Sequence, residues 1–435
     1  MKQKNLYTPE AFTIGALFFI CGLVTWLNAT IIPFLKVACE LSNFQSYFVT
    51  FAFYLAYAAV ALPSLRLLEK TDTKSGMAMG LMAMSAGALI FVPAALLRTY
   101  PLFLLGLLAS GAGLGLLQAA VSTYIAAPGT DENAPSGSSV ANICSRVAGV
   151  AGTLAVGSVL FYKIDSFEAS IRIAEGVSRA AELDTLAHKA VAPYLAIALA
   201  LAAVAFWVKS LPRPTLNAGE KCTEQEKDTP DVDTFRLPRF WLGLLTLFLY
   251  VGAEVIGVGS ISLYGKAVGM SFEVAKALPA CWLFAALLGC LLGAFVVPRH
   301  ICMERALAVC AALGVIFSVA AVNATGWLSV AFVALLGLSG SLVWPSVFSL
   351  SMKKMGKYAK LGAAILATGV AGGALLPLAY GYLADAAGYR QAYWILAPCY
   401  AAILLYAITN LPSAKKKHQS GIIQNMKEKA YALHR

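Results

Sequence analysis

Apolar stretches of about 20 residues recur from one end of the chain to the other, separated by shorter segments rich in polar residues, Gly and Pro. Twelve such runs are centred near residues 22, 55, 87, 115, 150, 202, 252, 287, 314, 339, 373 and 402. A helix rises about 1.5 Å per residue, so roughly 20 apolar residues cover the hydrocarbon layer of a bilayer. Within lipid a helix also bonds its own backbone groups inside one segment. The pattern predicts an all-α, multi-pass membrane protein with twelve transmembrane helices. The first run follows Met1–Glu10, is too long for a secretion-signal core and has no clear small-residue cleavage site, so it is read as a retained span.

Two polar segments break the series. Residues 163–192 form a charged and partly helical loop between spans five and six. Residues 209–239 carry six basic and six acidic residues with Pro212, Pro214, Pro230 and Pro238, the composition of a solvated linker. The expected division is a six-helix bundle over 1–208, the linker 209–239, a second six-helix bundle over 240–412 and a basic tail over 413–435. The halves repeat faintly. "LFFICG" (17–22) matches "LFLYVG" (247–252), and each run reaches a lysine, Lys36 or Lys266, at the same offset. "GLGLLQAAVST" (113–123) likewise resembles "SGSLVWPSVFS" (339–349).

Composition narrows the class. The chain is 59% hydrophobic and 13% charged, with mean hydropathy +0.73, where a soluble domain carries roughly 25% charged residues. The net charge of +11 is not a nucleic-acid signature. With both termini placed in the cytoplasm, inside segments hold 23 of the 33 Lys and Arg and outside loops hold 9, and Arg146 is the remaining one. The basic stretches "KKMGKYAK" (353–360) and "AKKKH" (414–418) are topology signals first and contacts for anionic lipids second. The nine cysteines form no CxxC pair, and the four histidines fall in loops, tails or a span end, so no metal site, disulfide framework or cofactor is expected. No nucleophile–histidine pair or phosphate loop lies at depth, which argues against an enzyme. "GAGLGLLQ" (111–118) sits in an apolar span and reads as close helix packing through Gly111 and Gly115.

Parallel six-helix repeats joined by a long central segment are the layout of major facilitator transporters, whose site lies between the halves. The resemblance narrows further. "LVTWLNATIIPFLK" (23–36), "NFQSYFVTFAFYLAYAAVALPS" (43–64), "FLYVGAEV" (248–255), "WPSVFSL" (344–350) and "LATGVAGGALLPLAYGYLADAAG" (366–388) resemble the fucose–proton symporter and glucose/galactose transporter family. That resemblance implies uptake of a sugar across a bacterial inner membrane, driven by a proton or sodium gradient.

The departures carry the functional information. Where the family pattern has an aspartate after the first-span asparagine, Asn28 is followed by Ala29. A span-four glutamate is replaced by Gln118, and a span-eight arginine by Cys290. The usual proton carriers are therefore missing. Of the 22 acids, 20 lie in loops, tails or span ends and Asp385 ends span eleven, so Glu254 is the one deep acid and Arg146 the one deep base.

Ser138, Asn142, Arg146, Gly149 and Thr153 recur at three- and four-residue spacing and share a polar face of span five. Similar faces run through Thr25, Asn28 and Ala29 of span one, Gly111, Gly115, Gln118 and Ser122 of span four, Tyr250, Glu254 and Gly257 of span seven, and Ser341, Trp344 and Phe348 of span ten. These four spans line the cavity in the family, so the faces are expected to converge. Three readings of Arg146 stand open: an anchor for an anionic or strongly polar substrate, a tie or gate to Glu254, or a side chain that snorkels to an interface roughly 12 Å away. Glu254 can carry a coupling ion or be held in that pair. Trp207, Trp241, Trp327 and Trp394 lie near span ends and read as the interfacial belt. Trp26 and Trp344 lie deeper and are candidates for stacking on a sugar ring.

The expectation is a twelve-helix, monomeric sugar transporter working by alternating access. Asn28, Gln118, Asn142, Arg146, Trp26 and Trp344 are the candidate substrate residues and Glu254 the candidate ion-coupling residue. Arg146 tilts the cargo toward an acidic or amino sugar. An uncoupled uniporter or exchanger of the same fold stays open, as does a lipid translocase or a non-transporting receptor.

Overall fold

The computed structural model describes residues 9–125, 134–173, 176–210, 238–297, 301–353, 355 and 358–411. Among the described residues every regular element is helical. Twelve segments are long and apolar enough to cross a membrane. Spans one to six are Gly15–Ala38, Asn43–Ala61, Thr73–Leu96, Tyr100–Ser122, Ala141–Phe167 and Ser178–Ser210. Spans seven to twelve are Pro238–Ala267, Phe272–Val296, Met303–Asn323, Gly326–Met352, Ala359–Ala387 and Tyr389–Thr409. Each contains one of the twelve apolar runs. Residues 163–192, expected as a charged loop, are largely helical, in Ile164–Ile173 and Gly176–His188, and overlap the end of span five and the start of span six. The linker and the basic tail fall almost wholly outside the described residues, as does the side chain of Ser138.

Lipid offers no hydrophobic drive for helix to meet helix, so small residues set how closely spans approach. Spans three and four meet backbone to backbone at two reciprocal glycine pairs. A Cβ on Gly80 would lie 2.7 Å from Gly113 O, and one on Gly113 would lie 2.5 Å from Gly80 O. Gly87 and Gly106 repeat the arrangement at 2.5 and 2.7 Å. Gly111 and Gly115 admit span two in the same way, against Phe53 O and Tyr57 O, which is the packing role read from the sequence.

Span ten is interrupted between Gly326–Gly340 and Val343–Met352. Pro345 explains the break, because a proline ring has no N–H to give the carbonyl four residues back and collides with it. That carbonyl belongs to Ser341, and it instead accepts Cys290 Sγ of span eight at 3.6 Å. Span eleven is likewise divided by a single 3-10 turn, Thr368–Ala371.

The two sets of six spans meet where span five packs on span eight, span two on span eleven and span one on span seven. The start of span one and the end of span twelve define one side of the bundle, called here the entry end, with the far end opposite. Burial along the two central helices is lopsided. Span one is buried without a break from Trp26 to Leu35, and span seven from Tyr250 to Gly265, while their entry-side portions alternate buried and exposed positions. The halves are thus sealed from mid-depth to the far end. On the entry side Gln118, Asn142, Trp344 and Phe348 keep partial exposure.

Candidate functional site

The deep base and the deep acid meet. Arg146 Nη2 of span five donates to Glu254 Oε1 of span seven at 2.5 Å, across the interface of the two halves. Both residues are buried, at 7% and 8% exposure. Tyr250, one turn before Glu254 on the same helix face, donates its hydroxyl to the same Oε1 at 2.7 Å. The i, i+4 spacing read from the sequence places that contact.

Two indoles enclose the guanidinium. Arg146 Cζ lies 4.5 Å from the centre of the Trp26 ring and 5.8 Å from that of Trp282, and the two rings are 6.2 Å apart at 39°. A cation over an indole face is attracted by the ring quadrupole, more strongly where water is excluded. Small residues make room for both rings. A Cβ on Gly149, one turn past Arg146, would lie 2.6 Å from Trp26 Cδ1, and one on Gly257 would lie 2.8 Å from Trp282 Nε1. Cys290 lies beside the guanidinium from span eight.

Three donors in this cluster are buried and have no acceptor among the described residues: Arg146 Nη1, Trp26 Nε1 and Trp282 Nε1. Each is a group that can only donate, and leaving such a group buried without a partner costs about 1–3 kcal/mol. The pairing of Arg146 with Glu254 is neutral overall, yet the site is rich in unmatched donors.

The sequence-derived residues are not all brought together. The snorkelling reading of Arg146 is overturned: its side chain turns to Glu254 and Trp26 and stays in the protein, because the carboxylate and the indole faces offer it partners at depth. Trp26 joins the constellation. Asn28 is turned back on its own helix, its Nδ2 donating to Thr25 O at 3.2 Å. Gln118, Asn142 and Trp344 lie half-buried on the entry side, and among the described residues no hydrogen bond joins them to Arg146 or Glu254. Trp344 stacks on Phe348 at 6.3 Å and 20°. The cluster around the ion pair is thus drawn from spans one, five, seven and eight, while span ten approaches it at Gly340, where a Cβ would lie 3.3 Å from the Tyr250 ring. Trp282 is the residue the sequence did not single out. It is fully buried in an apolar run with no polar neighbour on its face, and only the fold brings it to Arg146. Of the four tryptophans read as the belt, Trp241, Trp327 and Trp394 are exposed at 50%, 63% and 47%, while Trp207 is half-buried against the core.

Comparison with known proteins adds to this geometry. A family profile described as Major Facilitator Superfamily matches residues 14–370. The glucose/galactose transporter of Brucella abortus is 31% identical over 410 residues, covering 93% of this chain and 95% of that protein. The L-fucose–proton symporter of Escherichia coli is 25% identical over 420 residues, covering 93% and 94%. The crystal structure of the Escherichia coli fucose–proton symporter superposes with a TM-score of 0.69 at 23% identity, covering 92% of this chain and 98% of that one.

Proposed function

The chain belongs to the Major Facilitator Superfamily, in its fucose–proton symporter and glucose/galactose transporter family, and from that premise we propose that it carries a neutral monosaccharide across a bacterial inner membrane by alternating access. The observation that carries this reading is the set of three unmatched donors, Arg146 Nη1, Trp26 Nε1 and Trp282 Nε1, gathered at mid-depth where the halves meet. A sugar presents hydroxyl and ring oxygens as acceptors and an apolar face for indole, so it is complementary to such a set. The acidic or amino-sugar cargo suggested by an isolated Arg146 loses its basis, because Glu254 already balances the cation. Gln118, Asn142 and Trp344 lie half-buried on the entry side and would act as secondary contacts, whereas Asn28 is buried and bonded to its own helix. Both termini are assigned to the cytoplasm from the distribution of Lys and Arg, which makes the far end the outer face.

Coupling is assigned to Glu254. A sugar oxygen that draws Arg146 away frees the carboxylate, and a carboxylate without its cation in a low-dielectric site can bind a proton. Release of sugar lets the guanidinium return and expel that proton. This ordering supplies proton coupling although Ala29 and Gln118 stand where the family pattern has acids.

The test is transport by the purified protein in liposomes, with labelled glucose, galactose and fucose. The expected result is counterflow of at least one of them, accumulation when the outside is made acidic, and loss of accumulation with retained counterflow in Glu254→Gln. Absence of counterflow for all three sugars overturns the sugar reading. Counterflow without accumulation under a proton or sodium gradient identifies a uniporter.

A further inference from the structure

The central site makes no use of the acids at the far end, where the halves are joined by two contacts of one design. We propose that Asp165 and Asp385 form a matched pair of latches that hold the far face closed and set how often the molecule opens there. Asp385, at the end of span eleven, accepts the Asn43 N–H on Oδ1 at 3.0 Å and the Phe44 N–H on Oδ2 at 2.8 Å. Asp165, at the end of the span-five segment, accepts the Phe272 N–H on Oδ1 at 2.9 Å and the Glu273 N–H on Oδ2 at 3.1 Å.

Each carboxylate thus grips two successive backbone amides with its two oxygens, and each grip crosses between the halves. The acid from the second half holds the start of span two. The acid from the first half holds the start of span eight. Spans five and eleven are equivalent in the internal repeat, and so are the two gripped segments. The local sequences match as well: Tyr162, Lys163, Ile164 and Asp165 stand against Tyr382, Leu383, Ala384 and Asp385, a Y-x-x-D written twice. Ser42 precedes Asn43 and Phe44 as Ser271 precedes Phe272 and Glu273.

The chemistry favours a bond that holds and then releases. Amides that open a helical turn have no acceptor within it, and an ionised acceptor bonds them more strongly than a neutral one. Water can serve both partners once they separate, so each latch biases the closed form without locking it. Among the described residues the other ion pairs near this end stay within one half: Arg98 with Asp184, Arg179 with Glu40, and Lys276 with Glu273. Beside the Asp385 latch, Lys36 Nζ donates to Tyr389 Oη at 2.6 Å and to Asn43 Oδ1, so span twelve is drawn to the same point.

The consequence for transport rests on the alternating-access reading, but the test follows the opening itself and needs no sugar, so the two can fail separately. Ile32 is fully buried in the sealed layer, against Gly259 of span seven. The rate at which a water-soluble maleimide labels Ile32→Cys, measured over the same protein without that cysteine, reports far-face opening. Asp165→Asn and Asp385→Asn are each expected to raise the rate roughly tenfold, and the double variant to raise it roughly a hundredfold, up to the intrinsic rate of the thiol. Glu273→Gln, at the same end but paired within its own half, is expected to leave it unchanged. Asparagine keeps one acceptor oxygen, and a cooperative melt of each variant establishes that it is folded. An unchanged rate in the double variant overturns the proposal, a response to only one acid overturns the matched pair, and an equal response to Glu273→Gln shows general loosening instead.

Discussion

Arg146 and Glu254, 108 residues apart in sequence, share a hydrogen bond of 2.5 Å where the two halves meet, while the second terminal nitrogen of the same guanidinium has no acceptor among the described residues. The pair is at once a tie between the halves and an incomplete site. Both properties follow from burying a five-donor cation against an acid that meets it at one oxygen.

Removing either partner strands the other charge in a low-dielectric interior, which costs about 3–5 kcal/mol for a buried pair. Glu254→Gln and Arg146→Gln are each expected to lower the melting temperature in detergent by several degrees. The double variant, which leaves no charge, is expected to melt above either single one. Strict additivity of the two losses in that thermal cycle would show that the residues are not coupled.

The unmatched indole donors separate binding from folding. Trp282→Phe keeps an aromatic ring beside Arg146 and removes Nε1, which already lacks a partner. Stability in the absence of ligand is expected to stay within about 1 kcal/mol of the parent, while sugar affinity falls roughly tenfold. Trp26→Phe is expected to behave likewise with an added loss of stability, since that ring also carries the closer cation contact, at 4.5 Å. Ligand-dependent shifts in melting temperature measure both quantities.

Cys290 lies beside Arg146 at a position where the family resemblance leads one to expect an arginine. The same positive charge therefore reaches the site from span five in place of span eight. Arg146→Ser with Cys290→Arg is expected to regain at least half of the stability lost in Arg146→Ser alone, because Glu254 recovers a cation from the other side. No recovery in the thermal melt would mean that only the span-five geometry satisfies the acid.

Gly149 holds Trp26 in place by having no side chain. A methyl there would sit 2.6 Å from Trp26 Cδ1 and 3.0 Å from Leu283 Cδ1, closer than carbon atoms pack. Gly149→Ala is expected to cost about 1–3 kcal/mol through overpacking and to weaken sugar binding by displacing the indole. A variant that melts and binds like the parent would show that Trp26 moves freely.

The sequence by itself determined the twelve helices and the identity of the two deep charges. Apolar length is a local property, and a charge inside an apolar run is conspicuous because lipid cannot solvate it. Helical spacing also placed Tyr250 beside Glu254, since one turn of one helix needs no tertiary information. What only the tertiary structure decided was which faces meet. The partner of Arg146, the entry of Trp282 into the site, the half-buried entry-side positions of Gln118, Asn142 and Trp344, and the grips of Asp165 and Asp385 all lie between helices that are distant in sequence. In a membrane every span is apolar on most sides, so hydrophobicity cannot rank the faces. Close approach at glycine, cation on indole and carboxylate on amide select among them, and those are properties of the assembled bundle.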